Sequence, residues 1–583
     1  MEITQGSSGC ACLERDRNYG AADTRAVQLE PSGENVSTLR RLFLVAGLFA
    51  FTGCSSALQS GALGPAAITA ADLRTRLHTF SNDSMMGRLF GTEGDLKGTQ
   101  YIANQLAAMG ALPAGDGGTY FQTIPTFRVA MVPGVQVFLD GEPLTYRRDF
   151  FTTIPATGRA QALGEVEVIY AGNLVDSTNL ISPEQAAGKA VLFSIAGPFS
   201  GNPNRFLNRY SQAAALVTTS NPATMRPFMI TTVNDTTPAR INITVTPQVA
   251  ERLLGGAPAT IRPGTVGRRL RFSSLAFTRE PVASRNVVAI IPGSDPALRG
   301  QYVAIGAHPD HIGIRPGGGL DHDSLRAFNT MAQRIVEART GQTPGSPGSG
   351  LTLQERASIR VNVDSLRRIR PARLDSVNNG ADDDGSGSMA VLELAESFAR
   401  SATKPRRSLL LVWHTGEEGG LRGSRHFADN PTVPRDSIVA HLNMDMVGRG
   451  GVSDRLGGGP DYVQLVGSRR LSRELGDLVE IVNSASPRPL RFDYSLDADG
   501  HPERIYCRSD HVHYARYGIP IVFFTTGLHM DYHQLTDEPQ YIDYEKLRRV
   551  VQLVRDVTLR VGNLDHRVVV DKPKPDPTAT CVQ

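Results

Sequence analysis

The chain has 583 residues, 61 Lys+Arg against 58 Asp+Glu, a formal net charge of +3, and 40% hydrophobic and 20% charged residues. That length allows roughly three domains, the composition suits globular cores, and the near-neutral balance gives no electrostatic footprint for nucleic acid. The five cysteines form no C-x-x-C pair, which argues against a thiolate zinc site, and spacing alone leaves a Cys507–Cys581 disulfide open.

Arg40-Arg41 precede an apolar run, Leu42 to Phe51, followed by Thr52-Gly53-Cys54-Ser55-Ser56. The run is about half of the roughly 20 residues that span a bilayer. Cationic residues, a short apolar core and small residues at a cut site describe an export signal. A small residue before Cys54 resembles the bacterial lipoprotein box and implies a lipid anchor at Cys54, the one membrane attachment expected. The protein is therefore expected to be exported: periplasmic or anchored to the outer membrane, or secreted if a plain signal is cut nearby. Met1 to Glu34 is unusual ahead of a signal, so translation is expected to start nearer Val36 or Leu39. Residues 1–59 are assigned to this extension and signal.

Residues 60–126 form a helical part of the catalytic domain, with Leu73, Leu77 and Phe80, then Ile102, Leu106 and Met109, at helical spacing. Residues 127–284 change texture. Val135–Leu139, Val166–Tyr170, Ala190–Ser194 and Ile241–Val245 read as short strands, and Asn208 to Leu216 suits a helix. Ala187-Gly188-Lys189-Ala190-Val191-Leu192-Phe193 with Tyr210 to Thr218 resembles the protease-associated domain. It carries no acid/base constellation.

Residues 285–565 alternate strand and helix. Strands are expected at Asn286–Ile291, Tyr302–Ala307, Leu409–His414, Ile438–Met444, Tyr462–Val466 and Ile519–Phe524, all near-continuous apolar runs suited to burial on both faces. Helices are expected at Met389–Arg400, Leu471–Val482 and Tyr544–Val561. The fold class is α/β, a mostly parallel central sheet sandwiched by helices, with ligands gathering at the carboxyl ends of strands. Residues 313–376 interrupt it as a lid-like insertion with two helices, the second carrying Arg367, Arg368, Arg370 and Arg373. Residues 566–583 read as a flexible tail.

Eleven of thirteen histidines lie between His308 and His533, among the acidic motifs, and imidazole with carboxylate suits zinc. Val377 to Gly387 holds three adjacent acids, Asp382, Asp383 and Asp384. One carboxylate can bridge two ions, which two-metal hydrolases hold about 3.5–4 Å apart; the alternative is a solvated acidic turn capping the next helix. Strand ends supply His308-Pro309-Asp310, Glu417-Glu418, Asp445 and, after the last strand, Asp531-Tyr532-His533. A Glu-Glu pair can divide into a ligand and a general base.

This ordered set resembles the co-catalytic dizinc exopeptidases, among them the bacterial secreted leucyl-type aminopeptidases and the relatives of glutamate carboxypeptidase. The resemblance implies two Zn²⁺: His308 and Asp445 on one, Glu418 and His533 on the other, Asp383 bridging. It implies Glu417 as general base on a metal-activated water, Asp310 orienting His308, Tyr532 donating to the tetrahedral oxyanion, and a cis Asp383–Asp384 peptide. The implied activity is removal of N-terminal residues from peptide substrates. Three carboxylates against two divalent ions leave one positive charge, which a bridging hydroxide balances. A carboxypeptidase served by the Arg-rich insertion, a glutaminyl cyclase-like enzyme with one zinc, and a metal-free binding ectodomain stay open as alternatives. His311, His414, His511, His513 and His529 are read as supporting or structural. Asp497-Ala498-Asp499-Gly500 lacks the acid an EF-hand needs at its twelfth position, and no G-x-S-x-G elbow occurs.

Overall fold

The structure is a computed structural model that describes residues 67–583, apart from 177, 196–206, 235, 274 and 346–349. The expected extension, signal and lipid anchor at Cys54 lie outside the described residues. No helix among the described residues is long and apolar enough to cross a membrane.

Helix α1 (Ala70–Phe80) starts where the Thr69 side chain accepts from the Asp72 amide, and it buries Leu73, Leu77 and Phe80. Helix α2 (Glu93–Met109) buries Ile102 and Leu106 and stops at Gly110, whose φ of 75° suits a residue without a Cβ. Both cover one face of a nine-stranded sheet. Its strands are β1 (Leu112–Pro113), β2 (Phe121–Thr123), β3 (Arg285–Ile291), β4 (Tyr302–Ala307), β5 (Ser408–Trp413), β6 (Ile438–Met444), β7 (Tyr462–Val466), β8 (Arg491–Asp493) and β9 (Ile521–Thr525). The order is β1-β3-β5-β4-β6-β9-β7-β8, with β2 also on β3. The middle four, β5, β4, β6 and β9, run parallel; β3 and β7 join them antiparallel.

The apolar runs split by alternation. Val303, Ile305, Leu409, Leu411 and Trp413 pack with α1, α2, α3 (Gly387–Arg400) and α4 (Tyr544–Gly562) in one core. Val288, Ala304, Leu410 and Val412 enter a second core on the opposite face with Phe427, Tyr514 and Phe523. Strands buried on both faces leave only their ends for polar work, and the four parallel strands all point their carboxyl ends the same way.

Residues 137–272 build an eight-stranded sheet of their own, in which Glu165–Asn173, Ala190–Ser194, Ala215–Thr219 and Ile241–Val245 run parallel. Thr126–Met131, Phe228–Thr231 and Phe277–Val282 form a three-stranded antiparallel sheet beside it.

Three expectations change. Asn208 to Leu216 is one helical turn, Asn208–Tyr210, and then a strand, because residues 215–219 fill the gap between two parallel neighbours. Sheet pairing there outweighs the helix propensity of the Ala-rich run. In the 313–376 insertion there are three helices, not two: a long one, His322–Thr340, a short one, Leu353–Ser358, and the arginine-bearing one, which is only Asp364–Arg367. The 566–583 tail is tied down. Cys581 is disulfide-bonded to Cys507, Arg504 donates to the Cys581 carbonyl, and the Gln583 amide donates to the Leu496 and Ala498 carbonyls.

Candidate metal centre

The ends of β4, β5 and β6, the turn before helix α3 and the loop after β9 bring the five expected ligands into one cluster. His308 follows β4. Its Nδ1 lies 3.1 Å from the Asp310 main-chain carbonyl. A carbonyl only accepts, so Nδ1 carries a proton and Nε2 is the nitrogen turned to the carboxylates. Nε2 points at Asp383 Oδ1 (3.3 Å) and Asp445 Oδ1 (3.6 Å). On the far side of Asp383, His533 Nε2 is 3.1 Å from Asp383 Oδ2 and 2.9 Å from Glu418 Oε2. Asp383 thus stands between the two imidazoles, with one oxygen toward each.

The acidic triplet is not a solvated turn; all three carboxylates are buried with separate tasks. Asp382 accepts from the Gly448 amide and meets His529 Nε2. Asp384 accepts from the amides of His308, Gly387 and Met446, and so pins the ends of β4 and β6 to the start of α3. Asp383 faces the cluster. The Asp383–Asp384 peptide is cis. Asp537, outside the expected set, accepts from the amides of Asp382 and Asp383.

Asp310 does two things. Its main chain holds the His308 ring, while its carboxylate, 3.7 Å from that ring, accepts from the Glu417 amide. The orienting group for His308 is therefore the carbonyl more than the carboxylate, and the carboxylate braces Glu417. A Glu417 oxygen lies within 4.8 Å of the ligand atoms of His308 and Asp445. Asp445 Oδ2 accepts from Ser509, which accepts in turn from Asn443. Tyr532 stacks on the His533 ring, and its hydroxyl accepts from Arg508 at 3.2 Å.

Electrostatics show what the cluster requires. Burial opposes protonation of His308, yet the Asp445 carboxylate and its neighbours hold its pKa well above the ordinary value. Burial likewise opposes the His533 imidazolium, but Glu418 and Asp383 raise it to about 11. Burial pushes Glu417 well above the usual carboxylate range, with His308 working against that and Glu418 adding to it. Carboxylates so packed call for positive charge.

The donor set fits metal ions. His308 Nε2, Asp383 Oδ2, Glu418 Oε1 and His533 Nε2 are buried without hydrogen-bond partners. Unpaired buried polar atoms are costly, and these four converge at ion-pair distances. Nitrogen and carboxylate oxygen are zinc donors.

One buried cation holds the scaffold and carries no sequence signal. Arg88, 0% exposed, donates to four main-chain carbonyls: Pro309, Phe80, Asn379 and Gly380. It ties α1 to both ligand loops. Burial lowers its pKa to about 10, so it stays cationic at neutral pH. Among the histidines read as supporting, His414 bonds the Tyr514 hydroxyl, His511 the Tyr506 carbonyl and His529 Asp382. His311 alone sits within the cluster, with Asp383 and Glu418. The arginines of the insertion are engaged elsewhere: Arg367 and Arg370 pair with Asp323, and Arg373 with Asp375 and Glu538.

The cluster opens into a small pocket of about 40 Å³, lined by Met446, Leu496, Ile505, Phe523 and Leu528, with Arg508 and Tyr532 at the polar side.

The profile of Peptidase family M28 matches residues 363–558, which include Asp383, Glu417, Glu418, Asp445 and His533. Leupeptin-inactivating enzyme 1 of Streptomyces exfoliatus is 42% identical over 80 residues, 13% of this chain and 18% of that one. Leucine aminopeptidase 1 of Aspergillus fumigatus is 27% identical over 203 residues, 32% of this chain and 48% of the relative. The matched stretches thus span less than half of these curated relatives. A solved zinc aminopeptidase from Bacillus subtilis superimposes with a TM-score of 0.50 at 15% identity, covering 85% of this chain and 96% of that one. Such a likeness speaks to the fold. Residues 363–558 thus match Peptidase family M28, and the α/β fold is that of the zinc aminopeptidase.

Proposed function

We propose that the protein is an exported dizinc exopeptidase that removes N-terminal residues from peptides. The observation that carries this reading is the convergence of His308, Asp383, Glu418, Asp445 and His533, four of which turn into the cluster a buried atom with no hydrogen-bond partner among the described residues. His308 and Asp445 would hold one ion, Glu418 and His533 the other, and Asp383 both. When bound, zinc supplies Lewis acidity and brings the pKa of water to about 7.

The protein's own groups do the rest. Glu417, braced at its amide by Asp310, takes the proton of the attacking water and returns it to the leaving amine; burial raises its pKa and makes it a stronger base than an exposed carboxylate. Burial keeps the Tyr532 hydroxyl protonated, so that it can donate to the developing oxyanion while Arg508 holds it in place. The small pocket beside Glu417, walled on one side by Met446, Leu496, Ile505, Phe523 and Leu528, offers an apolar surface to the first side chain of the substrate.

The amino-terminal preference is supported by the aminopeptidase names of the relatives and by the engagement of Arg367, Arg370 and Arg373 with acids, which leaves them unsuited to a substrate carboxylate. The test is a matched pair of peptides, N-terminally free and N-acetylated, with apolar first residues. Hydrolysis of the free peptide alone, abolished by chelation and restored by zinc, is expected. Equal cleavage of both, or release of C-terminal residues, would reject the reading.

Export is supported by the Arg40 to Cys54 segment and by the Cys507–Cys581 disulfide, which belongs in an oxidising compartment. Mass spectrometry of the native protein should find an acylated Cys54 at the mature N-terminus. Any peptide from residues 1–35 would rule out the later start.

A further inference from the structure

The cluster contains one nitrogen more than the five-ligand reading uses. His311 is fully buried and lies against its own loop, its amide donating to the Arg88 carbonyl. Room for its ring comes from Gly380: a Cβ there would stand 2.5 Å from His311 Cγ. The ring meets that of His533 edge to face, with centroids 5.6 Å apart.

His311 Nδ1 lies 2.8 Å from Glu418 Oε1 and 3.8 Å from Asp383 Oδ2. At 2.8 Å the two atoms are in ion-pair contact, yet neither makes a hydrogen bond of full geometry. Two buried donor atoms that lie side by side without bonding each other are both aimed at a third body. Asp383 Oδ2 and His533 Nε2, also without hydrogen-bond partners, converge on the same place. An ion there satisfies all four at once.

We propose that His311 is a direct ligand, through Nδ1, of the ion shared by Asp383, Glu418 and His533. This rests on the dizinc reading above. The consequence is asymmetry. The second ion receives four protein ligands, two of them imidazoles. The first receives three: His308, Asp445 and the shared Asp383. A zinc site filled by four protein ligands is of the structural kind, whereas one with an open position is of the catalytic kind. The second ion is thus the tightly held one, and the first, beside Glu417, is the one that exchanges.

The test uses the full chain loaded with zinc. Metal content is measured first, then the number of imidazoles by X-ray absorption at the zinc edge, for the wild type, His311→Ala and His311→Gln. Chelator-driven release follows. The wild type should hold two ions and three imidazoles, and release one ion much faster than the other. The variants should show two imidazoles and bind the slow ion about 10–100-fold more weakly. Two imidazoles on two ions in the wild type overturns the assignment and leaves the peptidase reading intact, even if the variants bind metal less well. A wild type that holds fewer than two ions overturns both. The wild-type imidazole count stands whether or not the variants fold.

Discussion

Two parallel sheets in this molecule look alike in sequence and differ in what stands at their carboxyl ends. In the 137–272 sheet, those ends carry hydroxyls with local partners. Ser194 Oγ pairs with the Tyr170 hydroxyl at 2.8 Å, Thr219 Oγ1 accepts from the Ile195 amide, and Thr246 Oγ1 caps the following helix. In the nine-stranded sheet the ends carry His308, Glu417, Glu418 and Asp445, and His308 Nε2 and Glu418 Oε1 have no hydrogen-bond partner among the described residues. Among the described residues, the groups of three or more side chains that could hold a metal both lie here. Burial and topology make a place for a site; unsatisfied donors held at short range by other residues make the site.

The largest effect should follow removal of the shared carboxylate. Asp383→Ala should lose both ions by elemental analysis and with them all measurable hydrolysis; full zinc content in that variant would place the ions elsewhere. Glu417→Gln should keep its zinc and lose about 10²–10⁴-fold in turnover, and near-normal turnover would remove Glu417 from the chemistry. Arg88→Ala strips four main-chain carbonyls of their donor, at a cost of about 3 kcal/mol or more. Its thermal midpoint should fall by roughly 5 °C or more, with Arg88→Lys recovering part; an unchanged midpoint would deny Arg88 its clamping role. On the other sheet, Ser194→Ala should cost about 1 kcal/mol and leave metal content and hydrolysis untouched. A drop in zinc there would erase the contrast between the two sheets.

Much of this was readable from the chain. The runs Tyr302–Ala307, Ile438–Met444 and Tyr462–Val466 match strands because burial on both faces writes itself as unbroken apolar sequence. The ligands were legible because strand-end acids and imidazoles are conspicuous beside such runs. Arg88 was not, since a single arginine after a glycine looks like any surface cation, and its value lies in four carbonyls from residues up to 292 positions away. Asp537 gave no signal of its own either; its hold on the Asp383 loop depends on folding. The tail at 566–583 read as flexible, but the disulfide and the Gln583 amide fasten it to the wall that carries Leu496 and Ile505. His311 was in view within His-Pro-Asp-His, yet nothing in the spacing says which way its ring turns.

The central claim is that two ions share Asp383. Anomalous scattering at the zinc edge from crystals of the full chain tests it most directly. Two peaks about 3.5–4 Å apart, one beside His308 and Asp445 and one beside Glu418 and His533, are predicted. A single peak, or peaks away from Asp383, would contradict the account.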